Sequence, residues 1–378
     1  MTPGMAPGMA SRRRALALLA GSLALGGCQR SGGLTVGFMA PLSGRRTDLG
    51  EGGRNGALVA VERINALGGV AGHPLQLLVE DDQMDPQRAV AGFQRMLARG
   101  IVALVGAYAK PLSDAIGPMA RAVDVPVISP NLALPVDAEH DDIVLRLNRT
   151  AQQNAQAYAR QLTRSGQRRI AVIAEVSSRE FVQSWIANFS QALSALGSQT
   201  SQVLTYTADA DTSFDALVRS TQGTACDGAM LIGPTTDVAR LCQQFRRLRP
   251  GLPLCTIDRA GNAALLQLGG RAVEDLVLLQ AFNPDDRSAA YLAFAQRFHE
   301  RFGEAPGQGA VLAHDAMAVL AQAMQRQPRG RALADTLGRG EAFQGLQQPI
   351  RFDAQGGAQR QAFFVQVRHG RFATLGAA

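Results

Sequence analysis

Between Ala103 and Pro135 the chain carries an apolar run, a glycine, a helical pattern and a second apolar run, an order that few folds accommodate. Ala103-Leu104-Val105 reads as a short buried strand, Gly106 as its turn and Ala107-Tyr108-Ala109-Lys110-Pro111 as a loop. Ser113 to Val123 reads as a helix, and Val125 to Ile128 as a second strand that runs into the loop Ser129 to Pro135. Both loops leave the carboxyl ends of strands. In an open parallel sheet ligands bind at that edge, where loops vary on a fixed scaffold. Lys110 is the single lysine in a Lys+Arg total of 38, a compact ammonium among planar guanidinium groups. It is read either as a ligand contact or as a solvated loop residue.

The same alternation continues on both sides. Strands are expected at Leu34–Phe38 and Pro74–Val79, with a helix from about Glu51 to Leu67 between them. In that helix Ala57, Leu58, Val61 and Ile64 form one apolar stripe, and Gly68-Gly69 stops it. Asp85-Pro86 supplies an N-cap and a first-turn proline for a helix to about Arg99. Further strands are expected at Ile143–Leu147, Ile170–Ile173, Val203–Tyr206, Ala229–Ile232, Leu252–Ile257 and Leu276–Phe282. Helices are expected at Ala151–Arg164, Arg179–Leu196, Thr212–Ser220, Asp237–Leu248, Asp286–Phe302 and Gly309–Met324. A closing hairpin is read from Ile350–Phe352, Ala362–Val367 and Arg371–Leu375.

Strand and helix alternation of this kind makes doubly wound α/β lobes. A chain of 378 residues exceeds the size at which one hydrophobic core stops growing, so two lobes are expected. Residues 34–147 with 284–347 are assigned to the first and 148–283 with 348–378 to the second. The lobe crossings are placed near Asn148, Asn283 and Gln348, as a three-segment hinge.

The first 33 residues read differently. Arg12-Arg13-Arg14, the apolar run Ala15 to Leu25 and Gly26-Gly27-Cys28 have the order of a secretory signal, and Leu-Gly-Gly-Cys resembles a bacterial lipobox. Residues 1–27 are expected to be removed, with a lipid on Cys28 anchoring the mature chain to a membrane through a tether at 28–33. Ser11-Arg12-Arg13 also resembles a twin-arginine export signal. Gln rather than Asp at position 29 points sorting toward the outer membrane. Loss of residues 1–27 lowers the formal net charge from +7 to +4. What remains is modestly basic, and neither a concentrated basic face nor a nucleic-acid motif is present, so no nucleic-acid partner is expected. Cys226, Cys242 and Cys255 fit no zinc spacing and are read as buried structural residues.

At this point the residues carry a family resemblance. Gly37 to Gly44, Ile64 to Gly72, Glu80-Asp81-Asp82 with Asp85-Pro86, and Val125 to Pro130 together resemble periplasmic substrate-binding proteins of the branched-chain amino acid (leucine/isoleucine/valine) type. The resemblance covers nearly all of the mature chain. It implies a type I periplasmic binding fold closing on a small ligand for delivery to an ABC permease and its ATPase, as a monomer and without a cofactor. Where that family binds an α-carboxylate with Ser and Thr, this chain has Lys110 and Ala133. The family's acid for the α-ammonium corresponds to Asp258, and its aromatic positions fall near Leu49 and Arg179.

The residues therefore suggest a charge in place of hydroxyls. A buried ammonium needs a partner, and a ligand carboxylate would supply it, with Tyr108 and Asn131 beside Lys110 and Arg179 or Arg259 reaching from the other lobe. Asp258 then either receives a ligand amine or pairs with Lys110 or Arg259. The expected ligand is a small carboxylate, amino acid or organic acid. Asp81-Asp82 reads as a strand-end turn, because adjacent strand residues point to opposite faces. Gly50, Gly52, Gly53 and Gly56 follow the first strand too late for a dinucleotide fingerprint and are read as a flexible, ligand-facing loop. The five histidines lack metal or triad spacing, and no enzyme is expected. The alternative to a transport receptor is a lipoprotein that uses the same fold as a sensor or as an activator of a cell-wall enzyme.

Overall fold

A computed structural model describes residues 1–2, 33–44, 47–132, 143–209, 211–338 and 340–378, with only the backbone of Asp48 and Leu49. Leu34–Ala378 forms one compact unit. Cys28, the expected lipidation site, and Ala133, an expected ligand contact, lie outside the described residues.

The first half of the larger unit is built on β1 (Leu34–Ala40), β2 (Leu75–Asp81), β3 (Ala103–Gly106), β4 (Val127–Ser129) and β5 (Val144–Arg146), all parallel in the order β2-β1-β3-β4-β5. Helices α1 (Thr47–Ala66), α2 (Pro86–Ala98) and α3 (Lys110–Ala122) make the crossovers. The sheet is apolar on both faces, as a covered parallel sheet must be. In β3 Ala103 and Val105 join one buried cluster with Phe38 and Tyr108, while Leu104 joins another with Phe93 and Ile116.

The second half holds α4 (Ala151–Arg164), β6 (Arg169–Glu175), α5 (Arg179–Ala195), β7 (Gln199–Tyr206), α6 (Phe214–Arg219), β8 (Gly228–Ile232), α7 (Thr235–Leu248), β9 (Leu254–Thr256), α8 (Ala263–Gly269) and β10 (Val277–Gln280). The chain then returns through α9 (Ala289–Phe302), α10 (Gln308–Arg326), α11 (Leu333–Leu337), β11 (Phe343–Gln344), β12 (Pro349–Phe352) and β13 (Ala358–Gln359), and ends on β14 (Phe363–Arg368) and β15 (Arg371–Ala377). The second sheet runs β15-β14-β10-β9-β8-β6-β7, with β14 and β15 antiparallel to their neighbours. Helix α10 returns to the first half, where Leu312, Ala316 and Leu320 share a buried cluster with Val36 and Val105.

Three expectations change here. Pro349–Phe352 pairs with β11 and β13 rather than with Ala362–Val367, and Ile350 and Phe352 lie in the first half's core. The last passage between sheets therefore follows β13, near Arg360, because alternate residues of β12 find an apolar partner in the first half. Gly50, Gly52, Gly53 and Gly56, read as a ligand-facing loop, all lie in α1, which agrees with the helix expected from about Glu51 and begins four residues earlier, at Thr47. A Cβ on Gly50 would overlap the Pro41 carbonyl, on Gly53 the Tyr108 hydroxyl and on Gly56 the Ala310 carbonyl. These glycines permit close packing. Lys110, placed in a loop from sequence, is the first residue of α3, with Pro111 in its first turn, where a proline loses no helical bond. The three non-signal cysteines are free and buried.

Tyr158 of α4 ties two strands of the second sheet together. Its hydroxyl donates to the Thr256 carbonyl at 2.5 Å and accepts from the Leu279 amide at 2.7 Å, inside a ring cluster with Trp185 and Phe364. Tyr158→Phe keeps the ring and strips both backbone groups of that partner, so urea unfolding should show a loss of about 1–3 kcal/mol.

Candidate functional site

Both sheets change direction beside their first strand: β1 lies between β2 and β3, and β6 between β7 and β8. Ligands bind beyond the carboxyl ends of strands at such switch points. The segment after β3 brings Ala109, Lys110, Pro111 and Leu112, and the segment after β6 brings Ser177 to Phe181; they line one cavity of about 370 Å³. Met84, Leu132, Ala151, Ser184 and Arg259 complete it.

The cavity carries three cations, Lys110 and Arg179 at the first positions of α3 and α5 and Arg259 in the turn after β9. Lys110 Nζ donates to Asp114 Oδ2 at 2.6 Å, one helical turn on. That bond, with burial opposing it and the charges of Asp114 and Glu180 adding to it, holds the ammonium's pKa above its usual value. The Arg259 guanidinium lies 4.0 Å from the centre of the Phe181 ring, a cation–π contact between two lining residues. Glu180 is the one carboxylate lining the cavity among the described residues; it is exposed. The remaining walls are mostly apolar.

A second hollow of about 140 Å³ adjoins it, with Arg259 lining both. Here stand Asn131, Asp258, Gln308, Glu51 and Glu304. Asp258 Oδ2 accepts from Asn148 Nδ2 and from Gln308 Nε2, each at 3.0 Å. Gln308 opens α10, so this carboxylate of the second half is held by an amide of the first. Burial, and then the nearby charge of Glu51, raise the Glu304 pKa.

Lys110, Arg179 and Arg259 thus come together, whereas Asn131 and Asp258 belong to the smaller hollow. Of the alternatives open for Asp258, the pair with Lys110 is not formed: Lys110 bonds Asp114, and Asp258 accepts from the two amides. Tyr108 is not in the cavity wall: it is buried, its ring edge-on to Phe38 at 6.2 Å, its hydroxyl against Gly53. Leu49 sits in α1, where only its backbone is described. Phe181, Leu112 and Gln308 escaped the sequence reading. Gln308 had a signal, a polar residue between two glycines where a helix begins.

Asp81 and Asp82 divide as their position on a strand end implies. Asp81 accepts from the Leu42 amide, the Ser43 hydroxyl and the Gln83 amide. Asp82 is 1% exposed, and burial, with the Asp81 charge adding and the Met84 amide opposing, pushes its pKa up to about 6. A carboxyl raised in this way stabilises the fold fully below its unfolded pKa, and that contribution is lost as pH rises through about 6. Asp82→Asn keeps the acceptor for Met84 and removes the charge. It should raise stability at pH 8 by roughly 2–3 kcal/mol and leave it unchanged near pH 3.5, as urea midpoints at the two pH values would report.

No helix among the described residues is long and apolar enough to cross a membrane. Among them no group of three or more His, Cys, Asp or Glu side chains is placed to hold a metal ion.

Comparison with known proteins agrees with this architecture. The Leu/Ile/Val-binding protein BraC3 of Rhizobium johnstonii is 24% identical over 264 residues, 68% of this chain and 71% of that one. The crystal structure of the branched-chain amino acid transporter substrate-binding protein LivJ of Streptococcus pneumoniae with isoleucine superposes with a TM-score of 0.82, at 18% identity over 91% of this chain and 99% of its own. A solute-binding protein of an ABC transporter from R. palustris, in complex with benzoate, gives a TM-score of 0.81 at 17% identity over 92% and 96%. At such identities these structures establish the fold, the type I periplasmic binding fold of two doubly wound α/β halves. The family model described as periplasmic binding protein matches residues 33–371, and the chain belongs to the periplasmic binding protein family.

Proposed function

We propose that this protein is the solute-binding component of an ABC importer, which closes its two halves on a small carboxylate-bearing ligand, an amino acid or an organic acid. The observation that carries this reading is the cavity of about 370 Å³ at the carboxyl ends of both sheets, with a cation from each half, Lys110 and Arg259, in its wall. A carboxylate entering there meets charged donors, which make the shorter and stronger hydrogen bonds, while its body meets apolar walls. The branched-chain amino acid and benzoate complexes of the two solved relatives lie within the same ligand class. The lipobox-like Leu-Gly-Gly-Cys supports a lipid on Cys28 and export to the periplasm, with the receptor handing its ligand to a permease and ATPase.

The test is thermal unfolding of the chain from Gln29 onward against amino acids, aromatic acids, aliphatic acids, dicarboxylates and amides. A ligand at about a hundred times its Kd adds roughly 2.7 kcal/mol. In a protein of this size each kcal/mol moves the midpoint by about 2 °C or more. A shift confined to carboxylates is expected. No shift with any carboxylate would contradict the proposal and favour a lipoprotein that contacts a partner protein.

A further inference from the structure

We infer that the outer edge of β7 is a contact surface for a second copy of this chain, the two β7 strands pairing antiparallel across a two-fold axis. An edge strand presents a row of unpaired backbone groups, and folded proteins cover such edges or charge them. The two large sheets have four edges, β2 and β5 in the first, β15 and β7 in the second. Three of them are managed. At β5 the Arg146 amide donates to the Gly356 carbonyl at 2.8 Å, and Arg146 bridges Gly357, so the turn before β13 covers that edge. At β15 Asp285 accepts from the Thr374 amide at 2.8 Å and meets Arg371 at 3.0 Å. β2 gives the backbone of Leu75 to the Asn65 side chain, in bonds of 2.7 and 2.8 Å, and carries Asp81 and the Arg95-paired Glu80 at its other end.

β7 has no such device. Its eight residues, from Gln199 to Tyr206, include no charge, no proline and no glycine, the composition that pairs most readily with a further strand. Among the described residues the backbone of Thr200 to Thr205 bonds to β6 and to no other segment. A bulge opposite Ile170 and Ala171 displaces Ser201, and from Gln202 to Tyr206 the strand runs in unbroken register with β6. Val203 and Thr205 are exposed on it.

The absence of charge selects the occupant. A strand bearing lysine or glutamate meets its own charge in a copy of itself, and like charges directly opposite destabilise a pair. β7 has none to repel. Self-pairing about Leu204 sets Gln202 against Tyr206 and Val203 against Thr205, a pair of β-branched side chains on each side of the axis. The contact is isologous and uses up the edge on which it forms, so assembly stops at two, where the family resemblance implies a monomer. No residue of β7 lines the ligand cavity, and the proposal stands apart from the carboxylate reading.

The experiment is analytical ultracentrifugation of the chain from Gln29 onward, without lipid, from micromolar to sub-millimolar concentration. The parent should pass from monomer to dimer over that range with no larger species. Val203→Lys with Thr205→Lys, and separately Val203→Glu with Thr205→Glu, should each weaken the dimer at least tenfold. Both positions are exposed, so the unfolding midpoint of each variant should stay within a degree or two of the parent. An equimolar mixture of the two variants should dimerise again, because each copy then meets the opposite charge. A parent that stays monomeric throughout would overturn the inference. So would a dimer of undiminished affinity in both variants, a mixture no better than either variant alone, or growth beyond two copies.

Discussion

Arg360→Met is expected to lower stability by about 3–5 kcal/mol. Arg360 lies in the passage between β13 and β14, and its Nη2 is 2.8 Å from Asp315 Oδ2 of α10, with both side chains fully buried. The two groups meet as an ion pair rather than through an aligned hydrogen bond, for neither Asp315 Oδ2 nor any Arg360 side-chain nitrogen has a hydrogen-bond partner among the described residues. Asp315 Oδ1 accepts from the Leu346 amide. Removing the guanidinium would leave a carboxylate in the core with one backbone donor and no countercharge. Adding Asp315→Asn to Arg360→Met should recover most of the loss, since the amide still accepts from Leu346 and carries no charge. Urea unfolding of the two single variants and the double variant would measure this coupling. A loss under about 1 kcal/mol in Arg360→Met would mean that water reaches the pair.

The second large effect is expected at Asp258. Its Oδ2 is the acceptor for Gln308 of the first half and Asn148 of the first passage, so it ties the two halves in the arrangement that surrounds the cavity. Hydrogen bonds to a charged group contribute about 1.5–3 kcal/mol each. Asp258→Ala should therefore populate a more open form and weaken binding of any cavity ligand by tenfold or more, because apparent affinity falls with the fraction of competent protein. Small-angle scattering of the unliganded variant should give a larger radius of gyration than the parent. Unchanged affinity and an unchanged radius would remove Asp258 from the closure.

The fold was legible where periodicity decides it. Alternation of apolar strands with amphipathic helices located nearly every element of both sheets, and Ala151–Arg164 matches to the residue; the structure shows that Thr150 and Gln153 close a reciprocal capping box at its start. Short apolar runs gave less. Ile350 and Phe352 carry the period of a strand but nothing in the chain says which sheet they join, and that is settled by packing against Phe343 and the first half's core. The glycines of α1 were misread for a related reason. Gly53 and Gly56 are glycines inside a helix because Tyr108 and Ala310 leave no room for a Cβ, contacts more than fifty residues away in sequence.

The site was legible in part. Its place after β3 singled out Lys110, while the family resemblance brought in Arg179 and Arg259; the structure places all three in the wall of one cavity. Tyr108 follows β3 as directly as Lys110 does, yet it turns into the core, with Ala107 before it at a φ of +58°. Sequence gives the edge at which a residue emerges. It does not give the side to which a strained turn sends it.

The measurement that bears most directly on the carboxylate site is calorimetric titration of the parent chain and of Lys110→Ala with the tightest carboxylate found by thermal unfolding. Lys110 is a single ammonium within reach of Asp114, so its loss leaves the fold intact and removes one charged donor from the cavity. Binding at least tenfold weaker in Lys110→Ala, with the unliganded unfolding midpoint within a degree or two of the parent, is the predicted result. Equal affinity of the two proteins for that carboxylate would contradict the account.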